Sequence, residues 1–305
     1  MWFLMAIVSA MLLGLYDVAK KYSLKGNTVI PVLFLNTLIS TFLFLPLIIG
    51  SKMGYVAPDS LFFVASGSWE WHGWIVLKAI IVLSSWICGY FAIKHLPLTL
   101  AGPINATRPV MVVVGALLLF GEHLNSWQWA GVLVAIVAFA MLSRSGRKEG
   151  IDFTRNRWIF LLIAAAILGA CSGLYDKYLI ARISLPAFFV QSWFNVYQSM
   201  MMLLAFVGWR YWQRHCSPEH RERFAWRWSI ICISLFLCAA DACYFHALAF
   251  EDALIAVVSM TRRSSVLVSF LFGALFLKEK RICGKALDLL LVLLSMVFLC
   301  IGASC

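Results

Sequence analysis

The chain has 305 residues; 63% are hydrophobic and 13% are charged, against about 25% charged in a soluble domain. Its formal net charge is +11, and uncharged runs of bilayer-crossing length recur from end to end. This excludes a soluble globular domain, whose core could not hide so much apolar chain, and predicts an all-α polytopic membrane protein.

Ten spans are predicted in chain order, over residues 2–20, 29–50, 72–93, 98–120, 126–142, 157–180, 185–209, 228–249, 253–277 and 282–302. Most reach the ~20 residues that cross about 30 Å of hydrocarbon. Tryptophans such as Trp2, Trp69, Trp127, Trp129, Trp212 and Trp228 gather at span ends, as an interfacial belt would. Span one ends in Asp17, Lys20 and Lys21 and has no basic leader or cleavage signal, so it is expected to be a helix and not a signal peptide. Span two carries Asn36 and Ser40, span three Trp86 and Tyr90, and span four Asn105 and Arg108. A polar stretch, 145–154, follows span five. Span six carries Asp176 and Lys177, span seven Gln191 and Asn195, and span eight Asp241 and Tyr244. Span nine carries Ser259, Arg262 and Arg263, and span ten Asp288, which is expected near an interface.

The spans repeat. Gly-Leu-Tyr-Asp stands at 14–17 and again at 173–176, and Asn36/Ser40 return as Asn195/Ser199, both 159 positions on. Tyr90-Phe91 returns as Tyr244-Phe245, and Thr107-Arg108 as Thr261-Arg262, both 154 positions on. Two five-span units are therefore expected, 1–144 and 155–305, joined by the linker at 145–154. Because five is odd, the second unit enters the bilayer from the opposite face. The fold expected is an inverted repeat, with a binding site near the midplane between the halves.

Arg108-Pro109 early in span four, and Phe120-Gly121-Glu122 before Trp127-Gln-Trp-Ala-Gly131, together with the five-plus-five repeat, resemble the EamA-like branch of the drug/metabolite transporter superfamily. The resemblance covers nearly the whole chain. It implies a secondary-active transporter in a bacterial inner membrane, with no cofactor and a small-molecule substrate. The second half departs from the pattern, with Lys278 before Glu279 and Asp288 in the place of Gly131.

Arg108 lies about ten residues into its span, or roughly 15 Å at the helical rise, and Arg262 is about as deep. A guanidinium there costs about 3 kcal/mol or more and demands a partner. Asn105 and Ser259 stand one turn before the two arginines, on the same helix face. Arg108 and Arg262, with Arg263, are expected either to clamp an anionic substrate group or to lock helices as ion pairs. Trp86, Tyr90 and Tyr244 are candidates for the cavity wall, and Asn36, Asn195 and Gln191 for its polar lining. Asp17 with Lys20 and Lys21, and Asp176 with Lys177, lie toward the far ends of their spans, which the inverted repeat sends to opposite faces. They are expected to be gates or proton-sensitive groups, or else simple helix-end pairs. Asp241 has Ile87 at its repeat position and is expected to carry a proton or to pair with Arg262 or Arg263.

Basic residues crowd the loops between spans 1–2, 5–6, 7–8 and 9–10, with Lys285 counted in the last of these. The positive-inside rule makes that face cytoplasmic and both termini external. Relatives of the resembled family are described with cytoplasmic termini; the charge asymmetry is the argument preferred here. This topological signal, with attraction to the lipid bilayer surface, accounts for the net charge without nucleic acid. Nine cysteines without a C-x-x-C, and histidines without ligand spacing, point to neither disulfides nor a metal. No Walker A loop, H-E-x-x-H or G-x-S-x-G occurs, so neither direct ATP use nor catalysis is expected. A flippase for lipid-linked substrates on the same fold stays open, as does a homodimer.

Overall fold

The computed structural model of the chain describes residues 2–58, 60, 62–108, 110–112, 114–115, 125–147, 155–179, 183–215, 223–248, 261–262, 264–276 and 282–304. Among the described residues there are ten α-helices and no strand. They are α1 (Trp2–Leu24), α2 (Val29–Lys52), α3 (Trp69–His95), α4 (Leu98–Ala106), α5 (Ser126–Arg147), α6 (Arg157–Lys177), α7 (Ala187–His215), α8 (Ser229–Leu248), α9 (Ser265–Leu275) and α10 (Ile282–Ser304).

Uncharged sequence makes helices here because a backbone taken out of water must satisfy its polar groups internally. The ends are set by local signals. The Ser68 hydroxyl accepts from the Trp71 amide, and the Asn156 side chain accepts from the Trp158 amide, at the starts of α3 and α6. Ahead of α5, Asn125 and Gln128 cap each other's amides at 3.0 and 2.9 Å. The turn between α1 and α2 passes through Gly26 at φ +66°, a conformation that favours glycine. The fourth span is broken. α4 stops at Ala106, and the Thr107 hydroxyl turns back to the Ile104 carbonyl at 2.7 Å.

Five described helical stretches are long and apolar enough to cross a membrane: Trp2–Leu24, Val29–Lys52, Trp69–His95, Arg157–Asp176 and Gly284–Gly302. Ser126–Leu142, Ser229–Tyr244 and Ser265–Leu275 are apolar but shorter. α7 is the polar exception, and its polar residues are turned inward: Ser192, Asn195, Gln198 and Ser199 are all buried. Apolar side chains such as Leu4, Phe42, Leu133, Ile136, Leu204 and Leu290 cover the outside, the reverse of a water-soluble surface.

The helices pair across the two halves. α1 packs chiefly on α8 and α3 on α6, while α2 meets α7, α4 meets α9 and α5 meets α10. Serines stitch the first two interfaces: Ser9 donates to the Ala240 carbonyl and Ser85 to the Ala165 carbonyl, both at 2.7 Å. The main core draws on both halves, with Leu33, Tyr90, Ile104, Ile159, Leu162 and Ile233 buried together. Gly14, the first letter of the repeated tetrapeptide, is pressed on α9; a Cβ there would meet the Val268 Cβ at 2.4 Å. Its repeat, Gly173, faces Val112 with room to spare, at 3.6 Å.

Asp288 is buried within the protein, 1% exposed, and one expectation at the α10 end needs correction. Lys285 is not a loop residue; it sits in α10, is equally buried, and donates to the Thr99 hydroxyl of α4 at 2.9 Å. Three positions apart, the two share the helix face turned toward α4.

Candidate functional site

A cavity of about 210 Å³ lies among α1, α3, α4 and α9, lined in part by Asp17, Lys20, Trp86, Tyr90, Asn105 and Arg108. Each helix contributes through its periodicity. Tyr16, Asp17 and Lys20 of α1 fall within one turn, and Trp86, Tyr90 and Ile93 of α3 recur at helical spacing. Asn105 and Arg108 come from either side of the break at Thr107.

The wall on the α1 side is a compact network. The Lys20 ammonium is 2.7 Å from the Asp17 carboxylate and 4.3 Å from the centre of the Tyr16 ring. It also lies 5.4 Å from the Tyr90 ring. Tyr90 is held in turn by Asn36, whose amide nitrogen donates to the phenol oxygen at 3.1 Å. The Ser234 hydroxyl fixes the Asn36 amide from behind at 2.9 Å. Asn36 therefore positions the cavity wall. Lys21 points elsewhere; its ammonium caps the end of α3, donating to the Ile93 and Leu96 carbonyls at 2.7 and 2.5 Å.

Opposite this network stands Arg108. Its guanidinium lies flat over Gly169 of α6, where a Cβ would be 2.8 Å from Cζ and Nη1. The group makes one long hydrogen bond, Nη2 to the Ala165 carbonyl at 3.4 Å. Its Nε is buried and has no hydrogen-bond partner among the described residues, and neither has the Asn105 Oδ1 one turn away. No described carboxylate lies within ion-pair distance of Arg108. Two residues that line one small chamber thus each hold a buried polar atom without a partner among the described residues, at a cost of about 1–3 kcal/mol apiece and more for the charged group.

Arg262, the repeat counterpart, is differently placed and does not line this cavity. It is ion-paired with Asp241 and lies 4.4 Å over the Tyr244 ring. Gln191 of α7 donates to the other Asp241 oxygen at 3.3 Å, and Asn195 donates to the Gln191 carbonyl at 2.9 Å. The two arginines are therefore electrostatically unequal, one neutralised by the acid that stands in the place of Ile87 and one with no acid among the described residues. Ser259 and Arg263, and the Lys177 side chain, lie outside the described residues.

Asp176 binds across an interface. Its carboxylate is 2.8 Å from the Lys78 ammonium of α3, which also lies 5.1 Å from the Phe194 ring. Lys78 was missed at the sequence level although a signal existed: it is a solitary charge inside Ile75-Val-Leu-Lys-Ala-Ile80, the setting in which an intramembrane ion demands a partner.

Comparison with known proteins adds the family. Residues 1–144 match the profile of the EamA-like transporter family. That half of the chain is an EamA-like unit. Over 70 residues the chain is 33% identical to an uncharacterized transporter, PA0485, of Pseudomonas aeruginosa. That stretch covers 23% of this chain and 24% of the relative, so the match spans about a quarter of the relative's length. A solved crystal structure described only as that of a protein superposes with a TM-score of 0.60 at 14% identity, covering 98% of this chain and 96% of the other. At that identity the likeness speaks for the fold alone, and it extends through the half beyond the EamA-like unit. The cavity itself joins the two halves, since Arg108 and Asn105 belong to the EamA-like unit and Leu237, Ser265 and Val266 to the remainder.

Proposed function

We propose that the chain is a secondary-active transporter of the drug/metabolite type, moving a small organic metabolite that carries an anionic group. The observation that carries this reading is the Arg108 guanidinium, buried in a cavity with its Nε and the neighbouring Asn105 Oδ1 both unpartnered among the described residues. A carboxylate or phosphate meets the guanidinium fork in two parallel hydrogen bonds, and a hydroxyl or amine on the same molecule would satisfy the Asn105 oxygen.

The pairing of helices supports ten spans arranged as two inverted repeats. Exchanging the halves turns the α1–α8 contact into the α6–α3 contact and maps α2–α7, α4–α9 and α5–α10 onto themselves. Alternating access then needs closures at both ends. Asp17–Lys20 stands late in α1 and Lys78–Asp176 late in α6, and the two helices run in opposite senses in such a repeat. Asp241, held by Arg262 and Gln191, is the carboxylate placed to couple movement to protons or to exchange. The loops rich in lysine and arginine face the cytoplasm in this reading.

The test is ligand-dependent thermal stabilisation of the purified protein with panels of anionic, zwitterionic and cationic metabolites, followed by uptake of the hits into proteoliposomes. Anionic compounds are expected to stabilise the protein, and Arg108→Gln to abolish the effect. A preference for cations, or hits indifferent to Arg108→Gln, overturns the reading.

One observation favours a second reading, a flippase for lipid-linked phosphates. A groove of about 870 Å³ has Lys21, Lys25 and Lys94 at its lining beside Phe236, Phe272 and Phe276. That pattern suits a phosphate head with an acyl tail. Stabilisation by a polyprenyl phosphate but not by the free headgroup would select it.

A further inference from the structure

At the far end of α3 from Lys94 lies a cavity of about 460 Å³, walled by Lys52, Gly67, Trp69, His72, Trp193 and Tyr197. Three of its rings, His72, Trp193 and Tyr197, are held against one another. Tyr197 and His72 share a 2.9 Å hydrogen bond between the phenol oxygen and Nδ1. Trp193 meets His72 edge-on at 4.6 Å and 87°, and stacks beside Tyr197 at 5.9 Å and 29°. The segment that roofs the cavity is seated firmly, because Gly67 approaches Phe189 so closely that a Cβ there would be 2.2 Å from Cζ. The cationic group is Lys52 at the end of α2, with its ammonium 5.8 Å from the Trp193 ring centre. No described carboxylate lies within ion-pair distance of it. Glu70, in the first turn of α3, is exposed and is not part of the lining.

We propose that this cavity is a ligand site of its own and takes a small aromatic carboxylate. Flat, locked rings on one wall offer stacking surface to an unsaturated ring. A lysine at the mouth offers a point charge to a carboxylate on that ring, and its volume falls within the range of small-molecule sites, about 300–1,000 Å³. The site is separate from the Arg108 cavity. His72 and Trp86 are 14 positions apart on α3, which is about 21 Å along a helix axis. The proposal therefore does not depend on what Arg108 binds.

The experiment is calorimetric titration of the full chain in detergent with 2-naphthoate, 2-naphthalenemethanol and 2-naphthylmethylamine. The carboxylate is expected to bind best and the amine worst. Lys52→Gln, at an exposed site, should weaken 2-naphthoate about fivefold and leave the alcohol unchanged. Trp193→Leu should weaken both by about threefold to tenfold. Arg108→Gln should change neither. Absence of 2-naphthoate binding, equal binding of the amine, indifference to Lys52→Gln, or loss of binding on Arg108→Gln each overturns the proposal. The last outcome would place the ligand in the central cavity and leave the transport reading standing.

Discussion

Replacing Gly169 with alanine separates what Arg108 does for a ligand from what it does for the fold. A Cβ at position 169 would lie 2.8 Å from Cζ and Nη1 of Arg108 and 3.0 Å from Nε. Comfortable contact between such atoms begins near 3.5 Å, so the guanidinium must move by about 1 Å. It is the end of a flexible side chain and can do so cheaply. Meanwhile alanine in a helix interior is favoured over glycine by about 1 kcal/mol. The melting temperature of Gly169→Ala should therefore stay level or rise. Anion binding should fall, because the displaced fork forfeits a charge-assisted hydrogen bond of about 1.5–3 kcal/mol, a loss of roughly 10- to 150-fold in affinity. The assay is melting temperature with and without the anionic hit, on Gly169→Ala, Arg108→Gln and the double variant. The double variant should lose no more than Arg108→Gln alone, since both act on one group. Wild-type affinity in Gly169→Ala would refute the claim that the guanidinium must lie flat on that glycine to engage its ligand.

Two further outcomes follow from the packing. In a double-mutant cycle on Lys78→Met and Asp176→Asn, the coupling energy should be about 1–2 kcal/mol, above an exposed pair and below a fully buried one, because side-chain exposure is 9% at Lys78 and 37% at Asp176; a value near zero, read from denaturation, would remove this pair as a closure. Gly14→Ala should destabilise by about 1–3 kcal/mol, since the new methyl meets the Val268 Cβ at 2.4 Å and the Ser265 carbonyl at 2.9 Å, whereas Gly173→Ala, with its nearest neighbour at 3.6 Å, should be tolerated.

Much of this architecture was legible in the chain because lipid imposes a simple code. Uncharged runs mark helices, so the starts of α1, α2, α4, α5, α6 and α10 fall where the hydropathy places them. Charges that survive in such runs stand out, which made Arg108, Asp17 and Asp241 visible as candidates. Partners were harder to see, because they depend on which helices touch. Asp176 stands next to Lys177 in sequence but binds Lys78 on another helix. Arg108 and Arg262 match in the repeat, yet among the described residues only Arg262 is paired with an acid, because Asp241 replaces an isoleucine in the second copy. Gly169 carries no signal at all; its role exists only once α6 lies against Arg108. The ring cluster of His72, Trp193 and Tyr197 likewise exists only once α3 lies against α7.

The cross-pairing of the halves bears on biosynthesis. The hydroxyl of Ser9 finds its carbonyl at Ala240, 231 positions downstream. α1 therefore leaves the ribosome long before its main neighbour exists, and it must wait in the bilayer with that hydroxyl turned to lipid, to another early helix or to an insertion chaperone. Neither half is a finished body when released, and the bundle closes only after its last third has been translated.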